Sequence, residues 1–288
     1  MAAKGTKSRN SKSKKEDPKK FWIQMIWLAT LSIVIVGATI ILFVAKVLLP
    51  DTSELENPKY DLATQVLSAN GEVIGKAFRQ NREWLSFHEI NPHIINALVA
   101  TEDERYFSHS GIDARSTLRA VVFLGKRGGA STITQQLAKQ FFTDYSRSFV
   151  KRVWQKVKEW VIAVEFEKRY TKEEILAMYL NKNEFLHQSI GIATAAQTYF
   201  GKNQSKLAVD EAAVLVGMLK NPNLYNPKLF PENANKRRNV VMRQMVRNEF
   251  ITQEEYKSYA ANPINIENFS REVYYRGVAP YFRAELVK

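Results

Sequence analysis

The 288-residue chain has no cysteine, which removes disulfide scaffolds, thiolate-bound zinc and thiol catalysis together. Histidine is nearly as scarce: His88, His93, His109 and His187 are all there are, and no two stand four apart as a helical metal pair would. No metal ligands are predicted from the residues alone. Internal repeats are lacking too, which sets solenoids and arrays aside. Charge itself is missing from one stretch, Phe21 to Ala45, and these 25 residues exceed the roughly 20 that cross a hydrocarbon core.

Positive charge is abundant: 42 Lys and Arg stand against 29 Asp and Glu, a net charge of +13. Eight basic and two acidic residues fall within the first 20 positions, a tail too poor in apolar side chains to fold by itself. The excess on the remainder suits phosphate-bearing ligands or an anionic membrane surface. Because the basic tail precedes the apolar run, the positive-inside rule places the N-terminus in the cytoplasm and everything after about residue 50 outside. Trp22, Trp27 and Lys46 sit where interfacial anchors belong. The expected organisation is a basic cytoplasmic tail (1–20), a transmembrane anchor (21–49), a polar linker (50–59), a main domain (60–250) and a C-terminal segment (251–288).

Past the linker, Thr64 to Ser68 and Glu72 to Gly75 flank Asn70-Gly71, the pattern of a hairpin. Helical periodicity then dominates. His93 to Asp103 carries Ile94, Ile95, Leu98 and Val99 at helical spacing, and Phe149 to Glu167 has an apolar stripe beside Arg152, Lys156 and Glu159. Thr171-Lys172-Glu173-Glu174 is a capping box before Ile175 to Leu180, and Asp210 to Lys220 is apolar nearly all round until Asn221-Pro222 stops it. The fold class expected is mostly α.

Three segments bear chemistry. Glu102-Asp103 ends a helix, where the macrodipole disfavours negative charge, a setting suited to a proton-transferring carboxylate; a solvated acid pair is the commoner meaning of such a dipeptide. His109 is expected to pack and orient this segment. Ser131, Thr132, Thr134, Gln135 and Gln136 form a hydroxyl and amide run leading into a helix, fit to donate to sugar hydroxyls and phosphate oxygens, with Lys139 one turn beyond Gln135 on the same face. No histidine lies near enough in sequence to activate a serine nucleophile here. Arg147, Lys151, Arg152, Lys156 and Lys158 form a basic run leading to Glu159, as a solvated helix face, an ion pair or a diphosphate site with one carboxylate beside it. A nucleic-acid patch explains the cations but not the retained acid, so no nucleic acid is expected as partner.

Taken together these blocks resemble the family 51 glycosyltransferases, the peptidoglycan polymerases that occur as monofunctional enzymes and as the N-terminal half of class A penicillin-binding proteins. Glu102, Asp103, His109 and Gly111 match one family motif, with Tyr106 in a phenylalanine's place. Gly129, Ser131, Thr132, Thr134, Gln135, Gln136 and Lys139 match a second, with Gln140 for asparagine. In a third, Gln155-Lys156-Val157-Lys158-Glu159 lacks the family's arginine, and in a fourth, Ile175 to Asn181, Ala177 replaces an acid. The resemblance implies a lysozyme-like, two-lobed helical domain behind one transmembrane helix in the cytoplasmic membrane, polymerising lipid II into β-1,4 glycan on the periplasmic side. It implies Glu102 and Glu159 as catalytic residues and Asp103, Ser131, Thr132, Gln135, Gln136, Lys139, Arg147 and Lys156 as substrate-binding ones. Implied partners are lipid II, the growing strand, the membrane and proteins of cell-wall assembly. A cofactor is not required, though a divalent cation (Mg or Mn) at the diphosphate is compatible. Two rivals remain: a lysozyme-like muramidase or lytic transglycosylase, and a non-catalytic assembly scaffold. The Ser-x-x-Lys at Ser11 to Lys14 falls in the polar tail and matches only trivially, so no transpeptidase is expected, and the aromatic run from Tyr274 reads as the start of a linker to a further domain.

Overall fold

The computed structural model describes residues 18–47, 64–67, 69–70, 73–77, 81–123, 129, 131–142 and 148–271. The chain divides into two compact units, Met1–Leu48 and Leu49–Lys288. In the first, α1 (Pro18–Val47) contains Lys19–Thr39, the one helix among the described residues long and apolar enough to cross a membrane.

The second unit opens with the expected hairpin. Strands β1 (Thr64–Leu67) and β2 (Val73–Ala77) pair antiparallel, Thr64 opposite Ala77, with an irregularity between Val66 and Leu67. Ser68, Gly71 and Glu72 of that hairpin lie outside the described residues. A short β3 (Asn81–Arg82) pairs parallel with β4 (Ser189–Ile190).

The rest is helical. In chain order the helices are α2 (Pro92–Glu102), α3 (Ala114–Val122), α4 (Ile133–Phe142), α5 (Phe149–Arg169), α6 (Lys172–Lys182), α7 (Ile192–Phe200), α8 (Val209–Leu219), α9 (Pro231–Arg247) and α10 (Gln253–Ala261). Local chemistry explains several boundaries. Asn91 caps α2 by accepting from the His93 amide at 2.8 Å, with Pro92 in the first turn where a missing N–H is harmless. Thr171 and Glu174 form the expected reciprocal capping box at α6, and Thr252 with Glu255 repeats it at α10. Gly201 ends α7 in the left-handed region at φ +63.

Two helix groups build the core. One packs α2 against α8 and α9; the other packs α4 against α5 and α6. Ile94, Leu98, Leu215, Val216, Val241 and Met242 are buried in the first, and Ile133, Leu137, Ile162, Phe166 and Ile175 in the second. Burying each such side chain contributes about 1.5 to 3 kcal/mol, ample to offset the weak intrinsic helicity of a polar segment such as α9. That helix, Pro-Glu-Asn-Ala-Asn-Lys-Arg-Arg at its start, gave no clear periodic signal because its buried set is sparse: Ala234, Arg238, Val241, Met242 and Met245.

The core continues past residue 250. Tyr256, Tyr259, Ile264, Ile266 and Phe269 pack against it, and the buried Arg238 guanidinium donates to the carbonyls of Ala260 and Asn262. Residues 251–271 therefore belong physically to the same unit as α9. The aromatic run from Tyr274 lies outside the described residues.

Candidate active site

Glu102 occupies the last turn of α2, where the two helix groups meet, and each group contributes one contact to its carboxylate. From α4, the Gln136 Nε2 amide donates to Oε2 at 3.2 Å; from α9, the Arg237 Nη2 donates to Oε1 at 3.3 Å. Both partners of this ion pair are largely withdrawn from solvent, with side chains 17% and 10% exposed. The Gln136 amide has only one sensible orientation, because its Oε1 accepts from the Tyr179 hydroxyl on α6 at 2.9 Å, turning the NH₂ toward Glu102. Burial, reinforced by the Glu102 charge, pushes the Tyr179 phenol far up, so it stays protonated and remains a donor. Arg237 is in turn held by the Gly217 carbonyl and lies 5.7 Å from the Tyr225 ring centre. Sequence reading had no access to Arg237, which stands 135 residues beyond Glu102 and reaches it only because α9 packs on α2.

Asp103 faces the interior. Its carboxylate oxygens lie 3.0 Å from His109 Nε2, and Oδ2 accepts from the Ile133 amide at 3.1 Å, at the first turn of α4. A carboxylate only accepts, so the facing nitrogen of His109 carries the proton. Thr132 caps the same turn: its hydroxyl accepts from the Gln135 amide at 3.1 Å and donates to the Gly111 carbonyl at 2.6 Å, which also accepts from Gln135 Nε2. Gly111 is required here. At φ +81 it brings the loop so near α5 that an added Cβ would lie 2.8 Å from the Ala163 carbonyl oxygen. Asp103, Thr132 and Gln135 are thus buried and engaged in fixing the start of α4.

The second cluster sits on α5. Lys156 Nζ donates to Ser131 Oγ at 2.7 Å and to Glu159 Oε2 at 2.9 Å, with the Glu159 side chain 8% exposed and that of Lys156 37%. The expected ion pair exists, and its carboxylate is buried rather than solvated. Ser131 touches this cluster while Ile133 is gripped by the neighbour of Glu102; two residues span at most about 7 Å, so both carboxylates flank one short stretch of chain. Glu102, Gln136, Ser131, Lys156 and Glu159 are thereby brought together around the start of α4. Lys139 is exposed on α4, while Gln135, one turn earlier on the same face, is buried. Arg147 lies outside the described residues.

The first turns of α5 are bare. Val150, Val153 and Trp154 are exposed, as are Leu118 and Val122 on α3, beside exposed Lys151 and Arg152.

A family model described as Transglycosylase matches residues 70–246. Penicillin-binding protein 1A of Escherichia coli is 36% identical over 244 residues, covering 83% of this chain and 28% of the relative. The protein of the same name from Vibrio cholerae is 38% identical over 250 residues, with 84% and 30% covered, and penicillin-binding protein 1F of Bacillus subtilis is 34% identical over 242, with 82% and 33%. This chain thus spans about a third or less of the length of these relatives. The match takes in Glu102, the run from Ser131, Glu159 and Arg237, every residue of the two clusters, and on that ground the chain belongs to the Transglycosylase family.

Proposed function

We propose that this chain is a membrane-anchored peptidoglycan glycosyltransferase that joins lipid II units into β-1,4 glycan and releases undecaprenyl diphosphate. The observation that carries the reading is the two-point hold on Glu102. A carboxylate gripped by one amide and one guanidinium keeps lone pairs free while its direction is set, as a general base needs. Glu102 takes the proton from the acceptor sugar's 4-hydroxyl, whose oxygen attacks C1 of the lipid-linked donor with inversion as the diphosphate leaves. Lys156, held in place by Ser131 and Glu159, supplies positive charge where the leaving group develops its own. Lys139 and Arg147 would add to that charge.

A diphosphate departs with charge stabilisation alone, whereas glycan hydrolysis needs an acid for the leaving oxygen, and the lysine beside Glu159 favours transfer over cleavage. A divalent cation would sit with the diphosphate beside Glu159. Among the described residues no three His, Asp or Glu side chains group to hold an ion, so substrate oxygens would complete its shell. For the location, α1 and the exposed apolar residues of α3 and α5 beside Lys151 and Arg152 support a catalytic unit working at the outer face of the cytoplasmic membrane. Proteins of cell-wall assembly remain its proposed partners.

The test is polymerisation of lipid II by the purified full chain in detergent. Glu102→Gln keeps the shape and is expected to lower the rate by about 10²- to 10⁴-fold with an unchanged melting temperature. Equal polymer from the variant removes Glu102 from its role, and release of fragments from purified cell walls would favour a lytic enzyme.

A further inference from the structure

A cavity of about 650 Å³ opens between residues 84–88 and the N-terminal half of α6, lined by Trp84, Phe87, His88, Tyr170, Ala177 and Met178, with Glu173 and Glu174 at its polar side. That volume is ordinary for a small-molecule site. It is separate from the residues gathered around Glu102 and Glu159, none of which lines it. Ala177 precedes Tyr179 by two positions, about 200° around the helix, so α6 presents one face to the reaction and another to this cavity.

On a chain of net charge +13, no lysine or arginine among the described residues lines it. The two cations that flank its lining residues in sequence are engaged elsewhere: Lys172 donates to Glu167 at 2.8 Å and lies 4.2 Å above the Tyr106 ring, and Arg169 pairs with Glu165 at 2.9 Å. Glu174 uses one oxygen in the α6 capping box, but Glu173 is exposed and has neither a hydrogen-bond nor an ion-pair partner among the described residues. Four aromatic rings with a free carboxylate at their edge attract a cation whose stem is apolar: ring faces and the acid draw the charge, while Met178 and Ala177 accept the methylenes.

We infer that this cavity binds an aliphatic primary ammonium group of the lysine type. The inference does not rest on the glycosyltransferase reading, since its readout is binding and not turnover.

The experiment uses the full chain in detergent labelled with 5-fluorotryptophan, the Trp84 fluorine resonance being the one lost in Trp84→Phe. Titration with N-acetyl-lysine methylamide and with n-butylammonium is expected to move that resonance, while the same lysine derivative acetylated on its Nζ, and so uncharged, leaves it in place. Glu173→Gln, on the exposed rim, should weaken binding about fivefold with lipid II polymerisation unchanged. Ala177→Leu, which fills the cavity floor, should abolish the response. A larger response to the lysine derivative than to butylammonium assigns the ligand to a peptide, and the reverse assigns it to a free amine; both support the class. No shift with either ammonium, an equal shift with the neutral derivative, or full affinity in Glu173→Gln overturns the inference, and the last needs no change in the packed interior.

Discussion

At the scale of single residues, Arg237 changes how Glu102 is understood. A lone acid at a helix C-terminus faces the negative end of the macrodipole and would turn to whatever cation was near. Arg237 supplies that cation from a fixed direction, because the Gly217 carbonyl and the Tyr225 ring hold its other faces. Arg237→Ala is therefore expected to slow lipid II polymerisation by roughly 10- to 100-fold through loss of aim rather than loss of the base. Arg237→Lys should recover only part of the rate, since an ammonium restores the charge without the planar fork that bridges Glu102 and Gly217. A rate in Arg237→Ala equal to wild type would show that the ion pair does not orient Glu102. The glutamate itself was legible beforehand, since an acid pair at the end of an amphipathic helix is a local pattern. Its partner was not, because nothing local ties residue 237 to residue 102.

Among elements, the start of α4 matters most. Thr132 and Gln135 belong to the run that reads as a polar wall for sugar and phosphate, and the resemblance implies Asp103 as substrate-binding, yet their groups meet backbone atoms of 111, 133 and 135. Hydroxyls and carboxylates before a helix serve equally as caps and as ligand contacts, and sequence cannot tell which donors will be left facing outward. Helix α3 offers a pH test of the same capping chemistry. Asp113 accepts from the amides of Arg115 and Ser116 and pairs with the Arg105 guanidinium. Burial alone would raise its carboxyl, but the hydrogen bonds from Ser116 and Arg105 win and bring it down to about 2. A folded value below the unfolded one, near 4, means stabilisation that is complete above about pH 4 and disappears as pH falls through 2. Asp113→Asn keeps a capping oxygen and loses the charge, so thermal unfolding should show it about 1 kcal/mol or less destabilised at neutral pH, with wild type and variant converging by pH 2. A difference that persists at pH 2 would contradict the ion pair's role.

The molecule as a whole is two units of opposite character, an apolar helix and a helical domain, and the domain extends beyond the stretch that carries motifs. Removing residues 251–288 strips Tyr256, Tyr259, Ile264, Ile266 and Phe269 from the core and leaves Arg238, 1% exposed, without two of its acceptors. Five partly buried side chains at about 1 kcal/mol each, with a stranded cation besides, predict a melting temperature lower by at least 10 °C or an insoluble product. A chain ending at residue 250 that melts like the full one would place the domain's edge where the motifs stop. Glu102 is far from this cut in sequence but reaches α9 through Arg237, so loosening α9 should also lower the polymerisation rate.

Short-range order decided much by itself. The uncharged run that becomes α1, the hairpin around Asn70, the capping box of α6 and the helices ending at Glu102 and near Leu219 all follow from neighbours within a few positions. The motif spacing likewise singled out Glu102, Lys156 and Glu159. Tertiary structure alone decided which polar groups face each other, Arg237 against Glu102, Ser131 against Lys156 and Asp103 inward to Ile133, and it opened an aromatic cavity behind α6. The physical reason is that helix periodicity and caps are written in contiguous residues, whereas the direction and burial of a side chain depend on packing between elements distant along the chain.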